Sequence, residues 1–158
     1  MTKAEIINGI KKYFKLQELV PEDVYKKYGD TSWDFLNERA LHILLVLRRD
    51  ILKVPLIIND WCFGGKHQQR GLRTNMSDIV KSKTDKGQID CGAHIFGMAW
   101  DLVSSKMSAD DMRETIIKEQ KKLPYPIRCE DRVSAPTWTH VDSRIGLNQK
   151  DKVYMFKG

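Results

Sequence analysis

At 158 residues, with 41% hydrophobic and 30% charged side chains, the chain suits one soluble domain built on a single core. Only 5 prolines and 10 glycines, with no low-complexity run, exclude a long disordered segment, and no apolar stretch approaches the roughly 18 residues of a membrane span. The net charge of +6 leaves nucleic acid, anionic lipid or an anionic wall polymer as partner classes, but the basic residues are scattered in the manner of a solvated surface.

In chain order, Ile6, Ile10, Tyr13 and Phe14 recur at helical spacing within residues 2–15, and Thr2 with Glu5 forms a capping-box pattern. A short helix is expected to begin near Pro21 and to end at Gly29. The clearest periodicity runs over 32–52. Trp33, Leu36, Ala40, Leu44, Leu47 and Ile51 repeat at three or four residues behind the caps Asp30, Thr31 and Ser32, which predicts a core helix of about five turns. His42 falls opposite that stripe and reads as a solvated or rim histidine. Residues 55–59 read as a short buried strand. A polar loop over 61–75 follows, long enough to suggest a functional role. Residues 76–90 are polar and fit no element. Ser108 and Asp111 cap a helix running to about Lys122, stopped by Pro124 and Pro126. Strands are expected over 125–128, 137–141 and 153–156. The fold class is therefore α+β: one domain over 1–158, mainly helical over 1–54, with a small, mainly antiparallel sheet over 55–158.

The residues able to carry chemistry gather in two segments, 93–101 and 138–142. His94, Asp101 and His140 supply two imidazoles and a carboxylate, the usual protein share of a catalytic zinc site with a fourth position open. Six residues separate His94 from Asp101, which fits a strand that bends at Gly97. Trp100 and Trp138 flank these residues and are expected to wall the site. Cys62, Cys91 and Cys129 form no disulfide framework, indicate a reducing compartment, and read as small buried residues. The pair Cys91 and His94 has no matching second pair to close a structural zinc site. The N-terminal segment lacks the apolar core and cleavage pattern of a signal peptide, so synthesis in the cytoplasm without one is expected.

The motifs His94-Ile95-Phe96-Gly97-Met98-Ala99-Trp100-Asp101 and Trp138-Thr139-His140-Val141-Asp142 resemble those of the zinc D-Ala-D-Ala carboxypeptidases and L-alanyl-D-glutamate endopeptidases, a superfamily that shares its fold with the hedgehog signalling domain. Arg70-Gly71-Leu72-Arg73-Thr74 stands where that family has a Ser-Gly-Tyr-Arg-like element, so the resemblance spans about residues 55–145. It implies a hedgehog-like fold, Zn2+ as cofactor and His94, Asp101 and His140 as its ligands. It also implies a peptidase acting on peptidoglycan stem peptides, with Arg73 binding substrate or steadying an oxyanion. An enzyme of this kind without a signal peptide is expected to be a phage endolysin released by a holin, or a virion-borne wall hydrolase.

Two departures bear on catalysis. Many family members place a Glu, the general base, three residues before the last His; Thr137 stands there. Gly92 replaces a Ser common two residues before the first His. The remaining candidates for the base are Glu130, Asp131 and Asp142. Glu130 is the choice because it ends a strand-like segment, while Asp142, two residues past His140, alternatively orients a ligand. A non-enzymatic zinc-binding module of the same fold is the competing expectation. No specific nucleic-acid partner is expected, because basic residues are not interleaved with aromatics in any one stretch. The chain is expected to act as a monomer.

Overall fold

The first third of the chain is helical, and its purpose is to back a sheet. The computed structural model describes residues 1–146 and 149–158. Helix α1 spans Lys3–Ile10 and opens on the expected box: Glu5 N–H donates to Thr2 Oγ1 at 3.3 Å, and Thr2 N–H donates to the Glu5 carboxylate at 2.7 Å. It ends five residues before the expected limit, with Phe14 continuing into the core on turns. Helix α2, Glu22–Tyr28, follows Pro21 and stops at Gly29, whose φ of 53° favours a residue without Cβ.

The expected helix over 32–52 is broken into three pieces. Gly29–Phe35 is 3₁₀, α3 runs over Glu38–Val46, and Leu47–Ile51 is a π segment. All six residues of the predicted stripe are buried nonetheless, so the periodicity located the core face but not the break. The break has a function. Asn37 caps α3 by accepting from Ala40 N–H at 3.2 Å, and its own N–H donates to Gly97 O at 3.0 Å. The backbone at Gly97, just after His94, docks into the interruption.

The expected strand over 55–59 is a single bridge, in which Ile57 and Val103 exchange hydrogen bonds of 2.7 and 3.0 Å. Residues 78–85, unassigned from sequence, form α4, Asp78–Asp85. Helix α5, Ala109–Lys118, opens with Ser108 Oγ accepting from Asp111 N–H and passes into a 3₁₀ turn, Gln120–Lys122.

Four short strands make the sheet: β1 Ala99–Leu102, β2 Ile127–Glu130, β3 Thr139–Asp142 and β4 Val153–Phe156. Their order is β1-β3-β2-β4. The first two pairings are antiparallel and β2–β4 is parallel. β2 and β3 sit one or two residues later than expected. The fold is α+β, among the described residues a small mixed sheet with five α-helices. One face of the sheet is apolar: Trp100, Leu102, Ile127, Cys129 and Val141 are buried with the helical core. Trp100 is 1% exposed and donates Nε1–H to Ala40 O at 2.9 Å, so it ties β1 to α3 and does not wall the site as expected. Alternation along each strand then turns Asp101, Arg128, Glu130, His140 and Asp142 to the opposite face.

Candidate metal centre

Asp101 and His140 are register partners across β1 and β3, so the sheet itself places them side by side. His94 arrives differently. It lies on a 3₁₀ turn, Ala93–Phe96, and not on the bent strand expected from its spacing to Asp101. Gly97 ends that turn with φ 61°, and a Cβ there would lie 2.3 Å from Phe35 O. Glycine is needed both for the left-handed backbone and for the close approach to the α3 break.

The loop over 61–75 holds this arrangement from beneath. Asp101 N–H donates to Arg70 O at 2.8 Å, and Arg73 N–H donates to His94 O at 3.1 Å. His94 Nδ1 lies 2.7 Å from Gly71 O, which fixes Nδ1 as the donor and turns Nε2 toward the other two residues. Gly71 itself lies against Leu19 O, where a Cβ would come within 2.2 Å, so this carbonyl is rigidly presented. Asn59, fully buried, accepts from Arg70 N–H at 3.0 Å and donates to Val20 O at 3.3 Å, anchoring the start of the same segment.

The three facing atoms form a compact triangle. His94 Nε2 lies 3.3 Å from Asp101 Oδ1 and 3.3 Å from His140 Nδ1, while His140 Nδ1 lies 2.8 Å from Asp101 Oδ1. All three residues are buried. A tetrahedral ion with ligand distances of about 2.0–2.1 Å needs donor atoms about 3.3 Å apart on each face, so two edges already fit and the third needs to open slightly. Two nitrogens and one carboxylate oxygen suit a transition-type ion better than magnesium or calcium, which take oxygen shells. This buried His94–Asp101–His140 group can bind a metal ion.

Each facing residue is held by a second contact. Arg73 Nη2 donates to Asp101 Oδ2 at 3.0 Å, and Arg73 Nε donates to Gln69 O at 2.6 Å. His140 Nε2 lies 3.3 Å from Asp142 Oδ2. Asp142 also accepts a bidentate pair from Arg128, at 3.0 and 2.7 Å, and the Arg144 N–H at 2.9 Å. With its side chain fully buried and both oxygens engaged, Asp142 is placed to orient His140, and it has no oxygen left to take a proton from water.

Electrostatics follow this pattern. Burial works against charge on His140, but hydrogen bonds to Asp101 and Asp142 outweigh it and raise its pKa to about 9. His94 is pushed the other way, chiefly by burial, and stays neutral. Burial alone would raise Asp101; the hydrogen bond from His140 and the charge on that ring hold it well below the usual carboxylate range. Asp142, likewise resisting burial, is held at about 2 by His140 and Arg128. In the metal-free protein His140 therefore carries a proton on each ring nitrogen, Nδ1–H toward Asp101 and Nε2–H toward Asp142.

Above the triangle lies a cleft of about 360 Å³ lined by Arg73, Glu130, Trp138 and Arg144 among others. Glu130, the expected base, is half-buried at the end of β2, two residues past Arg128, and lines the cleft together with His140. Trp138 lines the cleft as expected. His67, Gln69 and Arg70 line an adjoining pocket that shares Arg73, Asp101 and Trp138. Asp131 is used locally, accepting from Ser134 N–H at 2.8 Å. Thr137 is exposed. Cys91 is exposed and Cys62 only half-buried, contrary to expectation; Cys129 is buried, and burial pushes its thiol up to about 12.

Three arginines went unremarked in the sequence. Arg113, 4% exposed, reaches from α5 to the Glu130, Ala135 and Trp138 carbonyls, including contacts of 3.0 Å to Glu130 and 2.6 Å to Trp138. It fixes the backbone on either side of the loop between β2 and β3. Its signal was a cation within the apolar stripe Ala109, Met112 and Ile116. Arg128 carried a weaker one, an alternation on a predicted strand. Arg144 carried none.

Comparison with protein-family models, with curated proteins and with solved structures finds no match for this chain.

Proposed function

We propose that the chain is a zinc peptidase that hydrolyses peptide bonds in the stem peptides of bacterial peptidoglycan. The observation that carries this reading is the buried triangle of His94 Nε2, Asp101 Oδ1 and His140 Nδ1, open on one side to a cleft that also contains an arginine and a carboxylate. The motif resemblance supports the same ligand set and supplies the substrate class.

Zinc held by His94, Asp101 and His140 would supply Lewis acidity and make water a nucleophile near neutral pH. The chain's own residues do the rest. Arg73, held on two sides by Asp101 and Gln69, presents a fixed cation to negative charge developing on the carbonyl oxygen of the scissile bond. Glu130 takes a proton from the attacking water on a carboxylate oxygen and passes it to the leaving amine. Asp142 holds the His140 ring through Nε2, so that Nδ1 keeps its direction. Trp138 lines the cleft and narrows its contact with bulk water on that side. On this reading the protein acts at the bacterial wall.

The test is mass spectrometry of purified peptidoglycan after incubation with zinc-loaded protein. The expected result is one new class of cleaved stem peptide, lost in Glu130→Gln while zinc content is unchanged. Full zinc occupancy with no cleavage of any muropeptide would overturn the peptidase and favour a zinc-binding module, the reading that Thr137 at the family's base position supports.

A further inference from the structure

The cleft holds three arginines, and they are not equally engaged. Arg128 gives both arms of its fork to Asp142 and lies 4.5 Å over the Phe156 ring. Arg73 is divided between Asp101 and the Gln69 carbonyl. Arg144 is different. Its backbone N–H is fixed to Asp142 Oδ1 at 2.9 Å, which sets its Cα at the cleft edge immediately after β3. Its guanidinium makes a single long contact, Nη1 to Cys91 O at 3.3 Å. Its Nε is buried without a hydrogen-bond partner among the described residues, 4.0 Å from an Asp142 oxygen that already accepts from Arg128 and from Arg144's own backbone.

A half-exposed guanidinium with uncommitted donors, beside Gly92, Ala93 and His94 in the wall of the cleft, is a site for an anion. The planar fork matches a carboxylate by two parallel hydrogen bonds. Asp101 and Asp142 are already neutralised by their partners, so with a divalent ion bound the described residues lining the cleft are positive in excess, with Glu130 as the unneutralised carboxylate among them. Such a cleft draws in an anionic peptide and holds it at Arg144.

We infer that Arg144 is a specificity-determining residue that binds a carboxylate on the substrate, so that the preferred peptide carries a free carboxylate close to the scissile bond. The inference rests on the peptidase reading for the peptide nature of the ligand. Stem peptides offer two such groups: the terminal carboxylate, and the α-carboxylate of a γ-linked D-glutamate.

Two pairs of probes separate them. Zinc-loaded protein is titrated calorimetrically with an acyl-Lys-D-Ala-D-Ala free acid and its C-terminal amide, and with L-Ala-γ-D-Glu-L-Lys and its D-isoglutamine counterpart. In the wild type one acid is expected to bind at least about tenfold more tightly than its amide. In Arg144→Gln that preference should fall to within about twofold, with Arg144→Lys intermediate and zinc affinity unchanged in both. Which pair responds identifies the carboxylate. Equal binding of acid and amide in both pairs, or a preference that survives Arg144→Gln, overturns the assignment. If the acid preference holds but no peptidoglycan is cleaved, the peptidase reading fails and the carboxylate site stands. If cleavage proceeds and Arg144→Gln changes neither binding nor rate, the reverse is true.

Discussion

The two sides of the cleft are built by different means. The metal-facing side rests on sheet register. Asp101 and His140 are paired by the ladder, His94 is seated by a glycine carbonyl, and each of the three is held by a second polar contact. The opposite side, with Glu130 at a strand end and Trp138 on the approach to β3, is held largely by one buried side chain from a distant helix, Arg113. Strand pairing is cooperative and specified by the burial of one face, so it fixes atoms without dedicated residues. A loop side needs such residues, and here a single arginine serves. The difference teaches that the metal-facing triangle and the placement of Glu130 and Trp138 are held independently of each other.

The largest expected effect is on the first side alone. His94→Ala removes one donor of three and should weaken zinc binding by more than about a hundredfold, beyond the loss typical of altering an outer contact. Competition against a zinc-responsive dye measures it, and a retained circular dichroism spectrum shows that the fold survives. Unchanged affinity would break the comparison, because the triangle would then not be the metal site.

Next in size is the other side. Arg113→Ala leaves three carbonyls without their donor and should destabilise the protein by about 3 kcal/mol in urea unfolding. Zinc affinity should stay within about twofold at a denaturant-free temperature where the variant is folded, because no triangle atom touches Arg113. A parallel fall in zinc affinity would show that the two sides are one unit.

The smallest effect is a pH dependence that only the metal-free protein shows. His140 is raised from its ordinary 6.5 to about 9, so the stability it contributes is complete below about 6.5 and is lost as pH rises through about 9. His94, lowered by burial, acts on the acid limb, where the folded state must be held without its charge. Thermal unfolding of metal-free protein should therefore show a declining midpoint from about pH 6.5 to 9. Zinc-loaded protein should lack that decline, since the ion replaces the His140 proton and is favoured as pH rises. A metal-free protein stable and flat across this window would sink the picture of a protonated His140 between two carboxylates.

Legibility from sequence followed the same divide. The core stripe of Trp33 to Ile51 was readable because burial leaves a period, even though the chain changes helix type twice along it. The break at Asn37 was not, because it answers to Gly97, sixty residues away. The strand at 55–59 failed for a related reason: Leu56 and Ile58 are buried, as predicted, but Ile57 is exposed and its partner Val103 meets it at one point only. The three metal-facing residues were visible as a motif, and Asp142 was named as a group that orients a ligand, whereas the other supports were not. Gly71 acts through a carbonyl that every residue type possesses, and Arg144 acts through a loop position with no periodicity around it.

By itself the sequence determined an α+β class, the buried stripe, the capping box at Thr2, the helix cap at Ser108 and the residue types of a metal site, all of which depend on local spacing or on composition. Only the tertiary structure decided that Asp101 would face His140, that Asp142 would be spent on Arg128 and His140, and that Arg113 would hold the backbone of Glu130 and Trp138. Those outcomes depend on which strand pairs with which and on where a long side chain finds unpaired carbonyls. Both are settled by the global burial of polar groups, and no short window of residues contains that information.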